Sequence, residues 1–198
     1  CEVYLEAIKP LMQSDDAAAK LMTMTTLHAC LHHGLRLLHP FMPFVTEELF
    51  HRLALLTGEP RRTIMLAPYP EAAATDAFAS PEADETMELA MGIAAAIRST
   101  RAAYFKGELE KHAPAIYVRC RDAANASFVE QHLEIVSALS RTKISPPPAT
   151  IDIVTDDKGE VPRGCAAKVV NGKVEVHVLL AGVVDLSKEV GRIQKAIG

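Results

Sequence analysis

The chain has 198 residues, 49% hydrophobic and 23% charged, with 21 Lys plus Arg against 25 Asp plus Glu. These proportions exclude disordered and collagen-like chains, and no apolar run approaches the roughly 20 residues a bilayer span requires. The net charge of −4 conceals an asymmetry, because residues 1–97 balance at −7 and residues 98–198 at +3, a pattern that can hide a basic face inside an acidic total.

Cys1 to Met12 reads as the end of a helix already under way, with Val3, Leu5, Ile8, Leu11 and Met12 apolar and no capping residue before it. Ser14, Asp15 and Asp16 then offer an N-cap. From Ala17 to His39, Leu21, Met24, Leu27, Leu31, Leu35 and Leu38 recur at helical spacing. Pro40 ends that helix, Pro43 suits the first turn of the next, and Val45, Leu49 and Leu53 give it an apolar stripe before the breaker Gly58-Glu59-Pro60. Leu38, Phe41, Phe44 and Leu49 are expected to pack the break between the two helices. After a loop, Ser80-Pro81-Glu82 opens a third long helix carrying Met87, Ala90, Ala94, Ile97 and Tyr104 and ending near Gly107. Long helices separated by proline breaks predict an antiparallel helical bundle.

Beyond Lys111 the periodicity changes. Ala115–Arg121 reads as a strand, Ala126–Ser140 as a helix and Ile151–Val154 as a strand. Cys165–Val170 and Lys173–Leu180 read as a hairpin around Asn171-Gly172, a pair suited to a type I′ turn. Asp185 can cap a last helix with Leu186, Val190, Ile193 and Ile197 in coiled-coil rhythm, about two heptads and too short to stand alone. The expected fold is a mainly α helical bundle over 1–112, a small α+β domain over 113–184 and the start of a coiled-coil helix over 185–198.

The signatures of catalysis are missing: no G-x-S-x-G, no H-E-x-x-H and no Gly-rich phosphate loop occurs. Cys1, Cys30, Cys120 and Cys165 form no C-x-x-C pair, so reduced, mostly buried thiols in a cytoplasmic protein are expected. No signal-peptide layout opens the chain. His28 and His32 share a helix face, but Cys30 and His33 point elsewhere and no glutamate lies between the histidines, so no metal site is expected. Arg98 and Arg101 lie one turn apart with Lys106 just beyond, where they can complement the helix dipole or meet phosphates. Arg61, Arg62 and Arg36 are weaker candidates for the same role.

Leu37–Leu49, LLHPFMPFVTEEL, resembles the helix-break-helix segment of the anticodon-binding domain in class I aminoacyl-tRNA synthetases for aliphatic amino acids, and its His39 and Met42 resemble the valyl enzymes. Thr63–Pro70 (TIMLAPYP), Ile97-Arg98 with Arg101 (I-R-x-x-R) and Val176–Glu189 (VHVLLAGVVDLSKE) resemble later segments of the same enzymes in the same order. Phe50 stands where that family commonly has tryptophan, and the HIGH and KMSKS signatures of its ATP site are absent. The resemblance therefore implies a tRNA-binding fragment of an enzyme that joins valine to its tRNA with ATP. Catalytic and editing domains would lie upstream, and the second coiled-coil helix is missing. It implies a tRNA for valine as partner, no membrane, and no cofactor in this part. Arg98, Arg101, Lys106, Arg61, Arg62 and Arg36 would be the contacts. The rival reading is a helical adaptor that docks a protein and no RNA.

Overall fold

The structure, a computed structural model, describes residues 2–58, 62–72, 76, 79–106, 113–141, 151–155 and 159–182. The expected terminal helix over 185–198 lies outside the described residues. Two compact units form, one from residues 11–80 and one from residues 1–10 together with the part of the chain after Ser80.

The N-terminal helix is divided into α1 (Glu2–Ala7) and α2 (Lys9–Gln13), since Pro10 has no N–H to continue the ladder. In the unit of residues 11–80, Asp16 caps α3 (Ala17–Leu38) by accepting from the N–H groups of Ala18 and Ala19 at 2.9 and 3.0 Å. Pro40 ends α3, Pro43 opens α4 (Pro43–Thr57), and Gly58 closes α4 in the left-handed conformation at φ 72°. A short 3₁₀ turn, Ile64–Leu66, follows and packs on α4. Among the described residues of this unit, Thr23, Thr46, Leu53, Ala54 and Ile64 are buried.

Phe41 and Phe44, expected to pack the break, are instead 81% and 91% exposed, and Leu38 and Leu49 are also exposed. The reason is local geometry. The N–H groups of Phe41 and Met42 both bond to the Leu38 carbonyl, forming a tight turn that presents the phenylalanine outward. Polar bonds hold the break instead. The fully buried Thr46 hydroxyl donates to the Met42 carbonyl at 2.7 Å and lies 2.7 Å from His39 Nδ1.

The other unit is a four-stranded sheet with helices on one face. Its strands are β1 (Ile116–Cys120), β2 (Ile151–Thr155), β3 (Cys165–Val169) and β4 (Val174–Leu179), in the order β2-β1-β4-β3. The β1 and β2 strands run parallel, joined through α6 (Ala123–Gln131) and α7 (Leu133–Ser140), while the β1–β4 and β3–β4 pairs are antiparallel. Register places Ile116, Val118 and Cys120 beside Val178, Val176 and Val174 on one face, where alternation along each strand buries all six. The helix α5 (Pro81–Tyr104) lays Ala90, Ile93, Ala96 and Ile97 over them. It closes the 1–112 segment of the sequence reading, yet its apolar stripe belongs to the core of the sheet. Gly92 permits the close approach, because a Cβ there would stand 2.8 Å from Val170 Cγ1.

Three local expectations are revised. The helix expected over 126–140 divides at His132, so that α6 packs on β1 and β2 while α7 packs on α5. The β3–β4 hairpin forms, but neither Asn171 nor Gly172 takes the positive φ of a type I′ turn. A wider loop is closed instead by Asn171 Oδ1, which accepts from the N–H groups of Lys173 and Val174 at 2.9 and 2.8 Å. Finally, only Cys120 among the described thiols is buried, and burial pushes it up to about 11; Cys30 is exposed and Cys165 intermediate.

The exposed Phe41 and the buried Thr46 have opposite expected sensitivities. Urea unfolding of Phe41→Ala should stay within about 0.5 kcal/mol of the parent. Thr46→Val, which removes the buried hydroxyl that joins the Met42 carbonyl to His39 Nδ1 and leaves only the Thr46 N–H on that carbonyl, should lose about 1–3 kcal/mol.

On the other sheet face, Arg121 Nη2 donates to Glu175 Oε1 at 2.7 Å. That bond holds the Glu175 carboxyl below its usual range against the opposing effect of burial, and the His177 ring, 3.4 Å away, adds to it. A lowered carboxylate pKa stabilises the fold above the unfolded value, and this contribution is lost as pH falls through the folded value. Melting curves of Arg121→Gln and the parent should therefore differ near neutral pH and converge as the pH falls through the lowered folded value of Glu175.

Candidate nucleic-acid interface

In the sheet unit, burial of Ile97 and Thr100 on α5 turns the intervening Arg98 outward. Its guanidinium makes no hydrogen bond or ion pair with any described residue. Arg98 lines a groove with Ala94 and Ala95 of α5, Leu139 and Arg141 at the end of α7, and Glu2 and Glu6 of α1. Arg101, in the last turn of α5, donates from Nη1 to the Arg141 carbonyl at 3.4 Å. This uses one of the five N–H donors of a guanidinium. Three arginines therefore gather where α5 and α7 meet.

Arg141 was not among the sequence candidates. It caps α7 at φ 55°, the one described non-glycine residue with positive φ. Its only trace in the sequence is the positive balance of residues 98–198. The acidic wall of the groove is partly neutralised, since both Glu6 oxygens lie 2.7 Å from Lys9 Nζ. Lys9, and to a smaller extent Arg141, hold the Glu6 carboxyl below its usual range. Lys106 is exposed two residues beyond α5.

In the unit of residues 11–80, Arg36 is a structural clamp. Its Nη1 donates to the Pro68 carbonyl at 2.9 Å, its Nε to the His32 carbonyl at 3.3 Å, and its Nη2 lies 3.2 Å from His33 Nδ1. Arg62 is exposed, lines the same pocket as Arg36 and bonds to no described residue. Arg61 lies outside the described residues. Of the six sequence candidates, the structure brings Arg98 close to Arg101 and Arg36 close to Arg62.

The segments that carried the family resemblance serve geometry. Glu47 Oε2 accepts from the Thr63 hydroxyl at 3.1 Å and from the Ile64 N–H at 3.0 Å, while its Oε1 lies 3.0 Å from His51 Nε2. His39 Nε2 lies 2.9 Å from Met65 Sδ. The T-E-E of the first segment thus latches onto the T-I-M of the second, across 16 residues of chain. No group of three or more potential metal ligands occurs among the described residues. His28 and His32 stack their rings at 5.9 Å rather than converging on a point.

Residues 1–112 match the model of the anticodon-binding domain of tRNA ligase. The chain belongs to that family. It is also similar to valine–tRNA ligases of Mus musculus (37% identity) and Homo sapiens (36%), over 98% of this chain and 14% of each of those proteins. A mitochondrial valine–tRNA ligase of Saccharomyces cerevisiae is 30% identical over the whole chain and 17% of its own length. The chain thus spans about one-seventh of the first two relatives. Among its described residues, no helix is long and apolar enough to cross a membrane.

The latch gives this anticodon-binding domain a testable weak point. Glu47→Gln removes the charge from an acceptor of two hydrogen bonds, and a charged bond contributes about 1.5–3 kcal/mol. A loss of that order in urea unfolding is expected, larger than for Glu48→Gln, whose exposed pair with Arg52 should contribute about 0.3–0.5 kcal/mol.

Proposed function

We propose that this chain is the tRNA-holding part of a valine–tRNA ligase and contacts the anticodon stem-loop region, with Arg98 and Arg101 on backbone phosphates. The observation that carries the reading is the position of Arg98, outward, unpaired among described residues and beside Arg101 and Arg141. Basic side chains fix an RNA backbone in this way, while unpaired bases are read by stacking and edge hydrogen bonds. Lys106 and Arg62 are proposed as further backbone contacts. Arg36, whose donors already hold the Pro68 and His32 carbonyls, is assigned to positioning.

Activation of valine with ATP and its attachment to tRNA are assigned to parts of the enzyme outside this chain, as its 14% share of the relatives suggests. We assign the enzyme to the cytosol, supported by 37% identity to the Mus musculus enzyme whose name carries no organelle against 30% to the mitochondrial one of the same organism. The sequence-based division at 112 is kept for the proposed tRNA-binding part, with the extent of the family match as its support although α5 packs on the sheet, and the following α+β part is read as a spacer.

A protein-docking reading is favoured by a different observation, the exposure of Phe41, Phe44 and Leu56. One experiment separates the two. Gel-shift titration of a valine-accepting tRNA transcript at several salt concentrations should show binding by the parent chain. Arg98→Gln/Arg101→Gln should weaken cognate and non-cognate transcripts alike, and should lower the slope of log affinity against log salt by up to about two contacts, at roughly 0.7–0.9 each. An unchanged slope together with a lowered melting temperature would instead assign both arginines to the helix end and its neighbours.

A further inference from the structure

We propose that the second half of α5 is a crest straddled by an RNA stem, with Lys168 of β3 on the phosphates of one strand and Arg98, Arg101 and Arg141 on those of the other. The proposal deepens the tRNA reading and rests on it. It gives the α+β part, beyond its role as spacer, a direct hand in holding the RNA, through a lysine that no sequence pattern singled out.

The packing of β3 sets the position of Lys168. Ala166 and Val170 turn toward the core on either side of it, and alternation along the strand puts Lys168 on the same helix-covered face. Gly92 lets α5 come close to Val170, and two turns further along α5 Ser99 meets Lys168. The Ser99 hydroxyl donates to the Ala96 carbonyl at 3.0 Å and therefore accepts from Lys168 Nζ at 2.6 Å. An ammonium has three donors. Lys168 is exposed, and no described carboxylate pairs with it.

Ala95, Arg98, Ser99 and Ala102, all exposed, recur at i, i+3, i+4 and i+7 and form one face of α5. At 3.6 residues per turn, Ser99 and Arg98 stand about 100° apart. Lys168 thus borders the crest beside Ser99, while Arg98, Arg101 and Arg141 border it on the side of α7. Acids are kept away from this half of the helix. Those of α5 end at Glu88, and Glu6 across the groove is held by Lys9.

Two features select a stem over a single strand. Cations on both sides of one rigid ridge match phosphates on two strands, whereas one strand needs a single track. The crest between them offers methyl groups and a hydroxyl, while unpaired bases are held by stacking on flat aromatic faces. Duplex RNA is recognised by its shape and by phosphate and 2′-hydroxyl contacts across a wide, shallow minor groove. Small side chains let a helix approach such a surface closely.

The test uses the full chain and the anticodon-arm hairpin of a valine-accepting tRNA. Phosphate-ethylation interference with the parent should mark phosphates on both strands of the stem. Lys168→Gln should erase the marks on one strand and leave the other, Arg98→Gln/Arg101→Gln should do the reverse, and Lys168→Arg should restore the parent pattern. Lys168→Gln should melt like the parent and lower the slope of log affinity against log salt by about one contact, roughly 0.7–0.9. The same loss is expected with a loopless RNA duplex of the stem sequence.

Marks confined to one strand, or an unchanged pattern and slope in Lys168→Gln, overturn the straddled crest while the tRNA reading stands. Displacement of the hairpin by polyglutamate as effectively as by unlabelled hairpin also overturns it, and assigns the cations to an acidic protein segment. A parent chain that binds neither tRNA nor hairpin removes the tRNA reading and this one with it.

Discussion

The sheet unit depends on the burial of one helix face. Ile93 and Ile97 of α5 lie fully buried over the β1–β4 pair, where Ile116, Val118, Val174, Val176 and Val178 are equally inaccessible. Each such side chain contributes on the order of 1.5–3 kcal/mol by leaving water, and this fixes the rotation of α5 about its axis. The groove follows from that rotation. With Ile97 pointing into the core, a helix of 3.6 residues per turn brings Arg98 out beside the α1 and α7 ends. The side chain that meets solvent is positioned by its neighbour that does not.

The unit of residues 11–80 is organised differently. Its buried set is small and includes two threonines, and its two most distinctive sequence segments are joined by hydrogen bonds. Glu47 holds Thr63 and Ile64, Thr46 holds the break before α4, and Arg36 holds Pro68. These bonds are directional, so they fix the path of the 62–68 segment more closely than apolar contact would. The same bonds leave large apolar side chains on the outside, Phe41 and Phe44 among them. They also shape the walls of the pocket that Arg36 and Arg62 line.

Electrostatics in both units is local rather than global. A chain of net charge −4 draws little long-range attraction to an RNA backbone. What matters is which cations remain available after the fold has used the others. Arg36 and Arg121 are engaged by carbonyls and by Glu175, respectively, whereas Arg98 and Arg62 have no such partner among the described residues. Counting basic residues along the chain cannot draw this distinction, because it depends on what the fold places beside each one.

The sequence by itself determined the periodic elements and the punctuation between them. Asp16, Pro40, Pro43, Gly58 and Pro81 act within a few residues of their own position, through capping oxygens, missing N–H groups and left-handed glycine geometry, and each acts where it was read. The family segments were legible for a related reason: Thr46, Glu47 and Thr63 must be those residue types to make their bonds. Tertiary structure decided what local rules do not reach. Helical spacing says that α5 has an apolar stripe, but not that a sheet assembled from four later strands will cover it. Period also cannot tell an apolar residue that packs from one that is left outside, as at Phe41 and Phe44. Likewise Arg141 joins Arg98 and Arg101 only because α7 lies against α5 and ends there in a left-handed residue, a meeting of segments 40 residues apart that burial brings about and no local spacing records.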